Sequence, residues 1–264
     1  MLSLYLLFLI SFLSTFFLLP YTITKLIDNN YVARDRYKTG KVFVPTNAGI
    51  ILFFTSLTTI AISPLVSRII NIFYTTDNSY YDFNTVSLAL LLVVSVYTIY
   101  GLVDDLINIS RKFKLLVPIL FSIPLANVIN PEQIWLPVYG NYNLDVVLIS
   151  SFTRSDLLRF LLVPVYVMVV SNLVNMHSGY NGLQSGLSLI LIATIIIESH
   201  LDSKLSNIYP IVPIFGSLVA FWLFNKYPKS DEGTLTKKRS SLVNRNFLSI
   251  LGKNLKVMDV VRIE

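Results

Sequence analysis

Apolar residues in this chain do not alternate with polar ones, nor do they recur every three or four positions opposite a charged face. They run in blocks: Leu2–Lys25, Ala48–Ile70, Val86–Ile107, Leu115–Ile129, Leu157–Asn175, Leu183–Ser199 and Ile208–Asn225. Most are near the ~20 residues that an α-helix needs to cross the hydrocarbon core; the fourth and sixth are shorter. The pattern predicts an all-α, polytopic integral membrane protein with about seven transmembrane helices. Met1–Pro20 carries no Lys or Arg and no small-residue cleavage site. It reads as a first span and not as a removable signal peptide.

The loops between the blocks set the orientation. Of the 21 basic residues, Arg68, Arg154, Arg159 and Lys204 fall on one side of the alternating loops. The other 17 fall on the opposite side, within Lys25–Lys41, Arg111–Lys114 and Lys226–Arg262. Loops rich in Lys and Arg stay in the cytoplasm, so the N-terminus is expected outside and the C-terminus inside. Residues 1–228 then form a membrane domain and residues 229–264 a basic polar tail. No repeat, inverted or solenoid, stands out.

Composition agrees. The chain has 264 residues, 54% hydrophobic and 14% charged, with a mean hydropathy of +0.65. Soluble domains are about a quarter charged. There are no cysteines, which excludes disulfides and thiolate metal sites. The net charge of +6 is modest, and its placement at the membrane surface explains it without a nucleic-acid partner.

Every stretch with chemical promise lies in a loop expected to be cytosolic. Asn172–Gly186 reads Asn-Leu-Val-Asn-Met-His-Ser-Gly-Tyr-Asn-Gly-Leu-Gln-Ser-Gly, polar and without formal charge between two apolar blocks. Asn172 and Asn175 are three apart and share a helix face. Their amide oxygens suit Mg²⁺, and equally suit hydrogen bonding between helices. Asn181 and Gly182 supply a turn where backbone can approach a ligand. His177 is a candidate base, although a single histidine in a turn more often has a structural hydrogen bond.

Asp104 and Asp105 end the third block. Two carboxylates at the hydrocarbon boundary repel each other. Adjacent helical residues diverge by ~100°, so the pair cannot face one way. A divalent cation, or Lys114 folded back, would relieve them; the plain alternative is a solvated acidic helix end. The first loop, with Asp35, Arg36, Lys38 and Lys41, would attract anionic lipid or phosphate alike. Carboxylates, amides and cations together suit a phosphorylated soluble donor meeting a phosphorylated lipid, with catalysis by charge neutralisation and positioning. A phosphate monoester has a second pKa near ~6 and needs little help from a general base.

Three motifs in order resemble those of the polyprenyl-phosphate N-acetylhexosamine-1-phosphate transferases. Asp35 through Val44-Pro45 to Gly49 resembles the family's first cytosolic loop. Gly101-Leu-Val-Asp104-Asp105, with Lys114-Leu-Leu-Val-Pro, resembles its Asp-Asp motif and trailing lysine. Asn172-x-x-Asn175-x-x-x-Gly179-x-Asn181-Gly182-Leu183 resembles its nucleotide and metal motif, with Asn-Gly-Leu as in the archaeal and eukaryotic branch. The resemblance covers about Met1 to Pro228.

It implies transfer of GlcNAc-1-phosphate from UDP-GlcNAc to dolichyl phosphate, releasing UMP, on the cytoplasmic face of the cell or endoplasmic reticulum membrane. A bacterial-type undecaprenyl phosphate acceptor is the runner-up, and an inactive scaffold that kept the fold is the competing class. Asp104, Asp105 and Lys114 would surround the phosphates. Asn172, Gly179, Asn181 and Leu183, with Asp35 and Lys38 of the first loop, would hold the nucleotide sugar. Asn175 would be a ligand of Mg²⁺, with Mn²⁺ as a substitute, and a homodimer would be compatible. The family continues after Phe224–Pro228 into an apolar stretch and a Gly-Asp metal ligand, then further spans. This chain instead reads Lys-Ser-Asp231-Glu-Gly-Thr and then a tail with many cations. Asp231 is the residue available to stand in for that ligand.

Overall fold

The apolar blocks become helices in a computed structural model of the chain. It describes residues 2–34, 43–74, 85–107, 109–129, 133–136, 140–176, 182–201 and 209–225. Asp35, Lys38, His177, Gly179, Asn181, Asp231 and the tail therefore lie outside the described residues.

Five helical segments are long and apolar enough to cross a membrane: Leu2–Asp28, Gly49–Phe73, Thr85–Ile107, Arg154–Val174 and Leu183–Leu201. Between 6% and 33% of each apolar window is buried inside the protein. Apolar surface left uncovered on that scale belongs in hydrocarbon, where helices satisfy their own backbone groups. The chain is thus a mostly helical, multi-pass membrane protein. The sixth block, read as short, is the full-length helix Leu183–Leu201, and the two remaining apolar blocks are also helical. Ile211–Asn225 is a single helix of 15 residues. The block from Arg111 to Val128 is broken in two at Ser122.

Two compact units emerge from the contacts: residues 1–82 with 177–264, and residues 83–176. In the first unit, α1 (Leu2–Asp28), α2 (Gly49–Tyr74), α8 (Leu183–Leu201) and α9 (Ile211–Asn225) pack together. Helices in lipid gain nothing from burying apolar surface against one another, so they associate through small residues and hydrogen bonds. That is what the interface of α1, α2 and α9 contains. Thr15 and Thr55 share a hydroxyl hydrogen bond at 2.7 Å, and Ser56 and Ser217 one at 2.6 Å. Ser3 meets the Tyr209 hydroxyl at 2.7 Å, and Ser11 donates to the Pro213 carbonyl. Gly216 lets α9 touch α1, since a Cβ there would stand 2.6 Å from the Phe8 carbonyl oxygen. Apolar clusters sit at both ends, Leu4, Leu7 and Val212 at one and Leu19, Ile23 and Phe224 at the other.

A small antiparallel pair, β1 (Val32–Arg34) with β2 (Phe43–Pro45), joins α1 to α2, with Ala33 opposite Val44. Asp35 and Lys38 fall between its two strands in the sequence.

The second unit holds α3 (Thr85–Ile107), α4 (Arg111–Phe121), α5 (Ile123–Val128) and α7 (Val163–Met176). Four short strands intervene: β3 (Gln133–Leu136) pairs with β4 (Gly140–Asn143), and β5 (Val147–Ile149) with β6 (Phe152–Thr153). The short helix α6 (Arg154–Leu157) and a π-helical turn, Leu158–Leu162, then lead into α7. Arg159 in that turn donates to the carbonyls of Ala126 and Asn127, both at 3.2 Å, so its cation satisfies the otherwise orphaned C-terminal carbonyls of α5. The strands add a little β-structure to an otherwise helical chain.

Candidate functional site

The clearest piece of the site is built by the turn between α3 and α4. Positions 97, 100 and 104 share one face of α3, and positions 114, 118 and 121 one face of α4. The two faces meet in layers. Deepest, the Tyr97 ring lies edge-on to Phe121 at 5.5 Å and its hydroxyl donates to the Pro118 carbonyl at 3.3 Å. Next, Tyr100 also meets Phe121 edge-on at 5.5 Å. At the mouth, Lys114 Nζ lies 2.8 Å from Asp104 Oδ2. The other oxygen of Asp104 accepts from the backbone N–H of Ile109 at 3.0 Å, within the turn itself. Both oxygens of Asp104 are therefore engaged in holding the hairpin closed.

Asp105 points elsewhere. It is exposed, and among the described residues it has no hydrogen-bond or ion-pair partner. The two carboxylates thus divide: one is neutralised by Lys114, and the other stays available as an anionic oxygen donor. Folding back of Lys114, one of the two expected remedies for their repulsion, is present. Among the described residues no three acidic or histidine side chains form a metal-binding group. One free carboxylate still suits Mg²⁺, which commonly takes one or two protein carboxylates and completes its octahedron with water and substrate phosphate.

In the same unit, Asn172 lies on the last turns of α7 and donates from Nδ2 to the Met168 carbonyl at 2.8 Å. One of its two amide hydrogens is thus used on its own helix, which fixes the side chain's orientation. Asn175 is on the same helix, three residues on, as its spacing required.

In the first unit, the second half of that motif begins α8. Gly182 has φ +73°, a left-handed conformation that side chains other than glycine's resist. Its N–H donates to Asn225 Oδ1 at 2.7 Å, at the end of α9. Ser185 Oγ lies 3.4 Å from the same oxygen. Leu183 starts α8 and is 38% exposed. Sequence reasoning overlooked Asn225. The available signal was an uncharged polar residue ending an apolar block, immediately before Lys226 and Tyr227.

Comparison with known proteins places these features. Residues 87–233 match the family described as Glycosyl transferase family 4. A Sulfolobus acidocaldarius protein is 30% identical over 147 residues, 54% of this chain and 42% of its own length. It is provisionally named UDP-N-acetylglucosamine–dolichyl-phosphate N-acetylglucosaminephosphotransferase. A Saccharolobus solfataricus protein with the same provisional name is 25% identical over 224 residues, 83% of this chain and 62% of its own. The phospho-N-acetylmuramoyl-pentapeptide-transferase of Borrelia turicatae is 25% identical over 232 residues, 76% of this chain and 60% of its own. The chain spans between about two fifths and three fifths of the length of these relatives. The matched region contains Asp104, Asp105, Lys114 and the whole of Asn172–Gly186. The chain belongs to glycosyl transferase family 4, among the polyprenyl-phosphate hexosamine-1-phosphate transferases.

Proposed function

We propose that the protein transfers GlcNAc-1-phosphate from UDP-GlcNAc to dolichyl or a related polyprenyl phosphate, with release of UMP. The observation that carries this reading is the divided Asp pair: a carboxylate left open beside a lysine-neutralised one, at the end of an apolar helix inside the family match. The names of the archaeal relatives support the GlcNAc donor and dolichyl acceptor. The Borrelia relative supports a second reading with a bacterial-type undecaprenyl phosphate acceptor.

In the proposed mechanism an oxygen of the lipid phosphate attacks the sugar-linked phosphorus of UDP-GlcNAc, and the bond to the UMP phosphate breaks. Mg²⁺, held by Asp105 and by the amide oxygen of Asn175, would neutralise the diphosphate; Asp231 is a further candidate ligand. Lys114 holds a positive charge at the same helix end and keeps Asp104 from adding to the repulsion of incoming phosphates. Gly179, Asn181 and Leu183, with Asn172, Asp35 and Lys38, would take the nucleotide sugar, as the motif resemblance implies. Asn225 fixes the backbone of Gly182. We further infer seven spans, with these loops on the cytoplasmic face, from the one-sided placement of the basic residues.

Membranes containing the full chain, given labelled UDP-GlcNAc, Mg²⁺ and dolichyl phosphate, should form a solvent-extractable labelled lipid and free UMP. Replacing dolichyl with undecaprenyl phosphate decides between the two acceptors. A well-expressed chain that labels neither lipid is a scaffold and not a transferase.

A further inference from the structure

The β5–β6 hairpin lies at the opposite end of the second unit's chain path from Lys114, beyond α4 and α5. Its residues break the usual rule for a strand pair. A strand with one wet face alternates apolar and polar positions. Here Val147, Leu148 and Ile149 are consecutive, the pairing is irregular between Val147 and Ile149, and all three side chains are exposed, by 56%, 45% and 76%. Phe152, paired with Ile149 across the Ser150–Ser151 turn, is 42% exposed. A strand edge of this kind in water invites aggregation.

The hairpin is not free to seek cover elsewhere. The Arg154 N–H donates to the Val146 carbonyl at 3.1 Å, and the Ser155 N–H to the Leu144 carbonyl at 3.0 Å. Leu144 is buried to 4% exposure. Thr153 and Asp156 form a reciprocal cap, Thr153 N–H to Asp156 Oδ2 at 2.9 Å and Asp156 N–H to Thr153 Oγ1 at 3.2 Å. The hairpin is therefore fixed to the first turn of the Arg154–Val174 span. Leu157 and Leu161 of that span are likewise exposed. At its rim the Arg154 guanidinium lies over the Tyr142 ring, 5.0 Å from its centre, and both are residue types that settle at headgroup level.

We propose that the β5–β6 hairpin is a membrane-interface anchor, with Val147, Leu148, Ile149 and Phe152 immersed at the boundary between headgroups and acyl chains. The occupant of this surface is lipid, because the hairpin is hydrogen-bonded to the first turn of a spanning helix with exposed apolar side chains and is accompanied by an arginine–tyrosine pair.

The test uses the absence of cysteine from the chain. Single cysteines at Ile149, Leu148, Leu161 and Asn141 are spin-labelled in the full chain, reconstituted in phosphatidylcholine liposomes. Collision rates with oxygen, which partitions into lipid, and with a water-soluble nickel chelate are then measured. The oxygen-to-nickel ratio at Ile149 and Leu148 should approach that at Leu161 and exceed that at Asn141 by at least about fivefold, as expected for side chains ~5–10 Å into the boundary. A ratio like that of Asn141 would overturn the proposal. So would protection from both reagents, which would mean that protein, such as a second copy, covers the hairpin.

Discussion

Lys114 Nζ sits 2.8 Å from Asp104 Oδ2, and this contact distinguishes the two adjacent carboxylates of α3. The pair is partly exposed, at 29% and 21% of the side chains, so its coupling is modest: about 1 kcal/mol in a double-mutant cycle of Asp104→Asn with Lys114→Met. The two single variants should differ in activity from their effect on stability. Asp104→Asn keeps the turn bond to Ile109, whereas Lys114→Met leaves two uncompensated anions and should lose the greater part of transfer activity. Thermal unfolding and initial rates on the same preparations check this.

Asp105→Asn should behave differently. Asp105 supports nothing among the described residues, so the unfolding midpoint should stay unchanged. Loss of an anionic ligand to a phosphate-bound cation should lower kcat by ~100-fold or more. A fall in stability in step with activity would show that Asp105 is structural.

Asn225 should act on the donor. Asn225→Ala removes the acceptor of the Gly182 N–H and leaves a backbone donor unsatisfied, a cost of about 1–3 kcal/mol that falls on the left-handed turn. The KM for the nucleotide sugar should rise ~10-fold, with little change in the KM for the lipid acceptor. Asn225→Asp keeps the accepting oxygen and should recover most of the loss.

Gly216→Ala tests the helix packing of the first unit. The added Cβ would meet the Phe8 carbonyl oxygen, a backbone atom, at 2.6 Å, so α1 and α9 must separate. The expected destabilisation is about 1–3 kcal/mol. Ser217→Ala, which loses the hydroxyl bond to Ser56 and the hydroxyl's contacts with the Pro213 and Ile214 carbonyls of its own helix, should cost nearer ~0.6 kcal/mol.

The helices were legible because hydrocarbon leaves a chain few choices: long apolar runs such as Leu2–Asp28 and Thr85–Ile107 must satisfy their own backbone. The break at Ser122 was not read, although Pro118 and Pro124 bracket it. Proline inside a span is tolerated and so marks no certain break; the C-terminal carbonyls of α5 are held by Arg159, 33 residues from Ala126, a partner no local pattern announces. The strands were missed for a similar reason: β5 lacks the alternation that marks a strand beside water. The separation of Asp104 from Asp105 followed from helix geometry alone, and Lys114 was already a named partner. Asn225 was hidden because its role is to hold a backbone N–H 43 residues away, which leaves no local pattern.

The central claim is that a sugar phosphate moves, and not a sugar alone. The direct measurement supplies membranes of the full chain with UDP-GlcNAc labelled in the sugar with tritium and in the sugar-linked phosphate with ³²P, together with polyprenyl phosphate and Mg²⁺. Both labels should reach the lipid in the ratio of the donor, with UMP as the unlabelled product. Tritium in the lipid with ³²P left behind in UDP would contradict the claim, because that outcome is glycosyl transfer with the donor diphosphate intact.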